Sequence, residues 1–460
     1  MRRAWLLLPL SIALACAPAA REETPGPTPA ALAEIWDRER VDQPPPPLLR
    51  HRDVEARLRQ VQQQAPDLFS LDTIGRSVEG RSIGHLWFGR GGFAVLLWSQ
   101  MHGDEPTATA ALFDLFEYVR RHRAEPPVAR MLEALTVHAV PMLNPDGAER
   151  YQRRNAQGID INRDALMLQT PEGAALKALR DRLAPRIGFN LHNQGWRTSV
   201  GGTGRPATIS LLSVAYDEAR SVDERRRLTK KTAAVIRDAV ETLAPGQVAK
   251  YDDSFEPRAF GDNVTKWGTP VVLVETGAWP GRDVDRHLVR LNFVALVTAL
   301  DALASGRVEQ VDPARYDSLP MNESRVLYQL IRRASVLNGA GVPPFVADIG
   351  IAGQRIVRKD NGTDRLLLQT RIEEFGDLST FGALEVIDGQ GLTAAPLFDP
   401  ALVPGAVVTL PAEWSPETLP NIVGPGQPAN LVLLRPQGDG RYRVERVFVN
   451  EASPERAGER

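Results

Sequence analysis

The sequence contains a single cysteine, Cys16, close to its N-terminus. The rest of the chain therefore cannot form an intramolecular disulfide, and its rigidity has to come from packing. An excess of charge is also missing, since the formal net charge is -2. A chain so close to neutral gives no electrostatic reason to expect a nucleic-acid partner.

Long apolar runs are scarce as well. Beyond the N-terminus, no second stretch approaches the roughly 20 apolar residues that span a bilayer. Apolar residues make up 43% of the sequence and charged residues 24%, as in an ordinary globular protein. At 460 residues the chain is too long for one ordinary core, so two domains are expected.

The one apolar run at the N-terminus has the form of a bacterial export signal. Arg2 and Arg3 precede apolar residues 4–15, a run too short for a stable membrane anchor. Cys16 at its end predicts the lipid-acceptor cysteine of a lipoprotein, and the alternative is ordinary cleavage after Ala19. In either case we expect an exported protein, periplasmic or anchored in the outer membrane of a Gram-negative bacterium. A lipid anchor would be its only contact with a membrane.

The pattern of apolar residues divides the remaining chain. After the export signal at 1–20, residues 21–48 are rich in proline, alanine and glutamate and predict a spacer. Residues 49–305 predict a first, larger domain, 306–325 a linker and 326–460 a smaller β-rich domain.

Within residues 49–305, short apolar runs alternate with amphipathic stretches. The runs predict strands at 82–88, 93–100, 135–143, 186–191, 209–215 and 270–275, and the periodicity predicts helices at 107–123, 171–183, 222–243 and 286–304. Further strands are predicted at 329–337, 347–351, 365–372, 406–410, 431–434 and 443–449. We therefore expect an α/β fold with a mixed central sheet covered by helices on both faces, followed by a smaller β-sandwich domain.

A histidine and a glutamate at one strand-to-helix corner indicate a metal site. His102 and Glu105 follow the apolar run 94–98 and precede the helix predicted from residue 107. Zinc binds nitrogen and oxygen donors at about 2.0–2.2 Å. This His-x-x-Glu spacing would supply two of the three protein ligands of a catalytic zinc and leave a position for water, as in a hydrolase.

Two other segments carry polar residues that could contact a substrate. Residues 144–147, Asn-Pro-Asp-Gly, indicate a tight turn. In the loop that follows, Arg153 precedes the pair Asn162 and Arg163. Guanidinium groups bind carboxylates bidentately and suit a developing oxyanion, so this loop predicts substrate contacts.

Two apolar strands end in residues with acid–base chemistry. His192 follows the apolar residues of one predicted strand, and Glu275 ends another. Burial at such a strand end raises the pKa of a carboxyl and prepares it for proton transfer.

In this order and spacing, the motifs resemble those of the carboxypeptidase A-like metallocarboxypeptidases, the M14 zinc peptidases, over roughly residues 50–305. The resemblance implies one zinc ion per chain, a general base, an arginine that stabilises the transition state and a site for the substrate's terminal carboxylate. The implied zinc ligands are His102, Glu105 and His192, the base is Glu275, the arginine is Arg153 with Arg154 as the alternative, and the carboxylate-binding pair is Asn162 and Arg163.

The sequence departs from this family at one substrate-contacting position. Family members usually carry a tyrosine about twenty residues before the base, on a mobile loop. Residues 260–266 contain no tyrosine, and Thr265 is the candidate for its place. Tyr251 lies too far upstream to be expected in that role.

The C-terminal region resembles, more weakly, the small β-sandwich that flanks the barrel of amidohydrolases. The resemblance rests on residues 330–351 and 423–450, and no His-x-His metal motif of such a barrel is present. We expect an accessory module without an active site of its own, and a generic β-sandwich explains the pattern nearly as well.

Three functions agree with these features. The leading hypothesis is a zinc-dependent exopeptidase that removes C-terminal residues from peptides. The second is an amidase that trims peptidoglycan stem peptides, or another M14-type deacylase. The third is a non-catalytic module that uses the cleft to bind peptide or cell wall.

Overall fold

The computed structural model of the protein describes residues 25–41, 48–281, 283–415, 418 and 423–452. The predicted export signal with Cys16 and the proline run at 44–47 lie outside these residues. The helices of the described part are α1 (Pro29–Glu39), α2 (His51–Gln64), α3 (Thr107–His122), α4 (Pro126–Ala134), α5 (Pro145–Arg150), α6 (Pro171–Leu183), α7 (Glu224–Glu241), α8 (Phe260–Lys266), α9 (Val284–Ala304) and α10 (Ala314–Asp317).

The strands of the first part of the chain are β1 (Phe69–Arg76), β2 (Ser82–Gly89), β3 (Phe93–Ser99), β4 (Leu135–Val140), β5 (Ile187–Asn193), β6 (Thr198–Val200), β7 (Ile209–Ser213), β8 (Val248–Lys250) and β9 (Val271–Thr276). Those that follow are β10 (Asn322–Ser324), β11 (Val326–Val336), β12 (Phe345–Asp360), β13 (Thr363–Gly376), β14 (Gly382–Asp388), β15 (Thr393–Pro396), β16 (Val407–Thr409), β17 (Leu431–Gly438), β18 (Arg441–Phe448) and β19 (Glu451–Ala452).

Eight strands form a mixed sheet in the order β1-β2-β4-β3-β5-β9-β7-β8. The central strands β4, β3, β5 and β9 run parallel to one another, whereas β2 and β7 flank them in the antiparallel sense. The predicted mixed α/β architecture is confirmed. The six strands predicted in this region all form, with ends shifted by a few residues.

Both faces of this sheet are buried, which explains why its strands are continuously apolar. In β3, Val95 and Leu97 pack into the core shared with α2, α3 and α9. Leu96 and Trp98 point to the opposite face, into the core formed with α6 and α8. Alternate side chains of a strand point to opposite faces, so each face needs its own helical cover.

Helix α9 corrects the expectation that no later stretch is long and apolar enough to cross a bilayer. By length and composition α9 meets that criterion, with a mean hydropathy of 1.5. However, 78% of the apolar window is buried inside the protein, where α9 packs against α3, α7 and α1. It has the burial expected of a core helix.

The predicted N-terminal spacer is partly wrong, because α1 lies within it. Thr28 caps the helix with its hydroxyl oxygen, which accepts from the backbone N–H of Ala31 at 3.2 Å. Leu32 and Trp36 are each only 1% exposed, and the indole Nε1 of Trp36 donates to Asp114 Oδ2 at 2.6 Å. Burial of this apolar face against α3 and α9 stabilises a helix that composition alone did not indicate.

The predicted linker at 306–325 is also folded onto the first domain. Tyr316 is 2% exposed, and its hydroxyl oxygen accepts from the backbone N–H of Ser213 at 3.0 Å. Next, β10 pairs with β6 in a separate two-stranded sheet. The second domain therefore begins from a chain segment that is already fixed beside the first.

The C-terminal region forms one nine-stranded sheet, with the path β16-β18-β17-β15-β11-β12-β13-β19 and β14 beside β11. Ile351 and Ile372, on β12 and β13, share a core with Leu431 and Phe448, on β17 and β18. These two pairs of strands are separated in the sheet by β15 and β11. The sheet must therefore curve over its own core. The predicted strand-rich second domain is confirmed.

Candidate metal centre and substrate cleft

The sheet order brings the predicted metal ligands to one edge. Strands β3, β5 and β9 are adjacent and parallel, so their carboxyl ends lie side by side. His102 and Glu105 lie in the turn after β3, His192 lies in β5, and Glu275 lies in β9. His192 and Glu275 are paired in register.

The three predicted ligands converge around one point. His102 Nδ1 lies 2.7 Å from Glu105 Oε1, and His192 Nδ1 lies 2.7 Å from Glu105 Oε2. The two imidazole Nδ1 atoms are 3.2 Å apart. All three side chains are buried, and each offers a ligand atom within 4.8 Å of the others. Two imidazole nitrogens and one carboxylate oxygen form the donor set of many catalytic zinc sites.

Asp160 holds His102 from behind and was missed by the sequence analysis. Its Oδ1 accepts from His102 Nε2 at 3.1 Å, which leaves Nδ1 directed at the centre. Its Oδ2 accepts from Arg153 Nε at 3.0 Å. A carboxylate behind a metal-ligating histidine fixes the ring and its tautomer. The sequence signal that could have found it was the motif Asp-x-Asn-Arg, in which Asp160 precedes the assigned pair Asn162 and Arg163.

Electrostatics at this point favours a cation. Burial lowers the pKa of His102, but the carboxylates of Glu105 and Asp160 outweigh it and raise that pKa to about 9. Burial likewise opposes ionisation of Glu105, yet the two imidazoles hold its pKa well below the ordinary value. The negative field that keeps a proton on His102 equally favours a metal ion in its place. The residues present therefore fit a zinc ion.

Glu275 has the properties of a proton acceptor in a dry site. Burial, followed by the negative charge of Glu105, raises the pKa of Glu275 to about 8. Its side chain is 9% exposed, and its Oε2 has no hydrogen-bond partner among the described residues. An orphaned carboxylate oxygen of this kind is free to exchange a proton with a molecule in the cleft.

Of the two arginines considered for the oxyanion, Arg153 and Arg154, only Arg153 reaches the metal ligands. The guanidinium of Arg153 lies 2.9 Å from Asp160 and 3.6 Å from Glu105, measured between the nearest nitrogen and oxygen atoms. Arg154 is exposed, and its Nη1 donates to the backbone carbonyl of Gly158 at 3.1 Å. Arg154, the alternative to Arg153, therefore points away from the metal ligands, since neighbouring side chains in this loop point in different directions.

The Asn-Pro-Asp-Gly segment, predicted to be only a tight turn, instead begins helix α5 and also connects the loops that carry the site. Asn144 caps α5, accepting from the N–H of Gly147 at 2.9 Å. Its Nδ2 donates to the carbonyls of Met101 and Arg153, each at 3.2 Å. A Cβ on Gly103 would lie 2.0 Å from the carbonyl carbon of Gly147, so this close approach requires glycine.

A cleft of about 400 Å³ opens beside the metal ligands and Glu275, and is called the catalytic cleft below. Asn162 and Arg163 lie in its wall. Asn162 Oδ1 accepts from the backbone N–H of Phe260 at 2.9 Å, which orients the amide. The Arg163 side chain is 38% exposed and lies 3.6 Å from Glu256. The structure thus places both predicted carboxylate-binding residues in the same cleft as the metal ligands.

The expectation about the loop tyrosine is reversed. Tyr251 lines the catalytic cleft, whereas Thr265 is 3% exposed and donates to the carbonyl of Gly261 at 2.9 Å. Burial, with the carboxylate of Glu275, raises the pKa of Tyr251 to about 12. Counting residues back from Glu275 misled the prediction, because the loop before α8 folds back toward the cleft.

The chain matches known proteins over the region that carries most of this site. The sequence model described as zinc carboxypeptidase, Peptidase_M14, matches residues 54–181. Over this segment the chain is similar to the zinc carboxypeptidase family. The matched segment contains His102, Glu105, Arg153 and the Asn162–Arg163 pair, whereas His192 and Glu275 lie beyond it.

Individual relatives agree with the family. The chain is 31% identical to carboxypeptidase M of Mus musculus over 128 residues, which are 24% of this chain and 29% of that protein. It is 31% identical to carboxypeptidase SOL1 of Arabidopsis thaliana over 122 residues, 24% of each chain. It is 28% identical to carboxypeptidase D of Rattus norvegicus over 226 residues, 45% of this chain and 15% of that protein. The match spans less than a third of each of these relatives.

Solved structures with some likeness include a metallo-carboxypeptidase from Burkholderia cenocepacia, with a TM-score of 0.45 and 18% identity over 56% of this chain and 69% of that one. Another is thrombin activatable fibrinolysis inhibitor, with a TM-score of 0.47 and 14% identity over 60% of this chain and 81% of that one.

Proposed function

We propose that this protein is a zinc-dependent carboxypeptidase that hydrolyses the C-terminal peptide bond of peptides. The observation that carries the proposal is the convergence of His102, Glu105 and His192 beside Glu275. These residues come from distant parts of the sequence and meet in a cleft with Asn162 and Arg163. A metal site alone would not need a buried, unpaired carboxylate beside it.

The metal ligands and Glu275 have separate roles in the proposed hydrolysis. When bound, zinc supplies a Lewis acid that polarises the scissile carbonyl and makes water acidic enough to attack near neutral pH. Glu275 accepts a proton from the attacking water and passes it to the leaving amine. Its position supports this role, because its buried Oε2 has no hydrogen-bond partner among the described residues and can take up and return a proton.

Arg153 is assigned to the oxyanion that develops on the scissile carbonyl. Its guanidinium borders both Glu105 and Asp160, and its side chain is 44% exposed, so it remains accessible to a substrate. One preorganised donor of this kind typically contributes about 2.7–4 kcal/mol to transition-state stabilisation. Asp160 keeps the guanidinium in place by accepting from its Nε.

Asn162 and Arg163 account for exopeptidase rather than endopeptidase activity. The amide of Asn162 is oriented by the Phe260 N–H, which occupies Oδ1 and leaves the NH₂ group available as a donor. With the Arg163 guanidinium, it offers charged and neutral donors to a terminal carboxylate. A peptide without a free C-terminal carboxylate would offer these two donors no matching acceptor.

One preparation tests the proposal. The metal content of the purified protein is measured, and the same sample is incubated with a library of peptides and with purified muropeptides. We expect one zinc per chain, release of C-terminal residues from peptides, and loss of that release with a chelator. Selective trimming of muropeptides would instead support a peptidoglycan amidase. Tight binding of peptide by the zinc-loaded protein, without turnover, would support a binding module.

We further propose that the protein is exported and that Cys16 carries the lipid anchor. The basic pair Arg2 and Arg3, the short apolar run and the position of Cys16 support this. Metabolic labelling with palmitate, compared between the wild type and Cys16→Ser, tests it. Label retained in the variant, or a cytoplasmic wild type, would contradict the proposal.

A further inference from the structure

A second cavity of about 340 Å³, the interdomain groove, runs between the candidate metal centre and the β-rich domain. One wall is formed by Asp104, Tyr151 and the segment 193–196, and the other by Gly353, Gln354 and Arg355 of β12. The groove shares Glu105, Arg153 and residues 193–195 with the catalytic cleft. The two cavities therefore meet beside the candidate metal ligand Glu105.

The groove leaves the centre on the side away from the carboxylate-binding pair. Asn162, Arg163 and Tyr251 line the catalytic cleft and take no part in the groove. A peptide whose terminal carboxylate lies at Asn162 and Arg163 has its scissile bond at the centre. The rest of that peptide, on the amino-terminal side of the bond, then has the groove as its path.

Contacts between the two domains hold this wall in place. Arg355 binds Asp285 bidentately, at 2.6 and 2.9 Å, and its guanidinium lies 5.5 Å from the ring centre of Trp196. The other neighbour of Trp196 is Tyr328, whose ring stacks at a centroid distance of 5.8 Å. Trp196 lies only four residues after His192, so β12 is fixed to the loop that follows the metal ligand.

Apart from Arg153, which it shares with the catalytic cleft, the described part of the groove offers acceptors rather than a free cation. Asn193 Oδ1 and Asp104 Oδ1 are buried and have no hydrogen-bond partner among the described residues. The charge of Arg355 is already paired with Asp285. Buried acceptors left without donors are unfavourable, so a ligand that supplies N–H groups is favoured. The backbone of an extended peptide supplies such groups at regular intervals.

We propose that the β-rich domain completes the substrate site, and that the interdomain groove binds the residues on the amino-terminal side of the scissile bond through their backbone N–H groups. The proposal rests on the carboxypeptidase function proposed above. It assigns to the accessory domain a direct part in substrate selection, in favour of extended peptides over a single acylated amino acid.

The test is a substrate series with one C-terminal residue and an increasing number of residues before it, beginning with an N-acylated dipeptide. For the wild type we expect kcat/KM to rise about tenfold or more with length, as two additional hydrogen bonds would give. Gln354→Trp, which fills the groove from an exposed position of β12, should reduce the ratio of long-substrate to short-substrate kcat/KM. The control is Arg358→Ala, on the same strand and outside the groove, which should leave that ratio unchanged.

Binding measurements separate this proposal from the proposed function. If no substrate is hydrolysed, calorimetric titration of the zinc-loaded protein with the same series still reports whether affinity rises with length. A length effect that Gln354→Trp removes supports the groove. Equal values of kcat/KM or Kd along the series, or a length effect that survives Gln354→Trp in a folded protein, would overturn it.

Discussion

Asp160 Oδ1 lies 3.1 Å from His102 Nε2, so a carboxylate more than fifty residues away in sequence determines which imidazole nitrogen of His102 faces the metal centre. The other Asp160 oxygen accepts from Arg153. One buried side chain therefore positions both a predicted ligand and the predicted oxyanion donor. Substitutions at Asp160 should disturb metal binding and catalysis together.

Replacing Asp160 tests this arrangement. In Asp160→Ala, His102 and Arg153 both lose their contact with the Asp160 carboxylate. We expect zinc affinity to fall about 10–100-fold, as is typical when a partner of a metal-ligating histidine is removed. Asp160→Asn keeps an acceptor for the imidazole N–H but loses the charge, so its affinity should lie between those of the wild type and Asp160→Ala. Competition with a fluorescent chelator measures the three affinities. Indistinguishable values would mean that Asp160 does not orient His102.

Glu275→Gln separates metal binding from proton transfer. The amide has the size of the carboxyl but cannot accept the proton of water, so kcat should fall about 10²–10⁴-fold. Zinc content should stay at the wild-type level, because the closest donors to the metal belong to other residues. Activity assays and metal analysis on one sample check both parts. Full activity in this variant would exclude Glu275 as the base.

Helix α1 provides a stability test outside the site. Trp36 is 1% exposed and hydrogen-bonded to Asp114. Trp36→Ala should therefore lower the free energy of unfolding by about 3–5 kcal/mol. Glu34→Ala, at an exposed position of the same helix, is the matched control and should change it little. Urea denaturation measures both variants. A small effect of Trp36→Ala would mean that α1 contributes little to the fold.

The buried pair His85 and His138 predicts how stability depends on pH. His85 Nε2 and His138 Nδ1 are 3.1 Å apart, and burial lowers the pKa of His85 to about 3 and that of His138 to about 4. In the unfolded chain both titrate near pH 6.5, so below that pH the unfolded state binds more protons than the native state. The free energy of unfolding should therefore fall as the pH decreases from about 6.5 to about 4.

Each of these histidines contributes up to about 1.4 kcal/mol per pH unit in that window, and nothing above it. Urea denaturation at about pH 7 and about pH 5 measures the loss. The double variant His85→Leu with His138→Leu should show a smaller loss between the two pH values. The same pH dependence in both proteins would show that other groups cause it.

Local patterns in the sequence predicted most elements of the first domain. Short continuous runs of apolar residues located β3 and β9, and helical periodicity located α6 at its observed ends. These elements are set by short-range pattern and by burial on both faces of one sheet. Helix α1 was not predicted because the proline and glutamate residues around it suggested a spacer. Its stability comes from the burial of Trp36 against helices that are distant in sequence.

The sequence by itself determined which residues could form a metal site, since His102, Glu105 and His192 follow a recognisable order and His-x-x-Glu fixes its two members on one turn. Their convergence was decided by the tertiary structure, through the parallel order of β3, β5 and β9. The same holds for Tyr251 in the cleft and for β12 beside the centre. Chain spacing limits which residues can meet, but the packing of distant strands selects those that do.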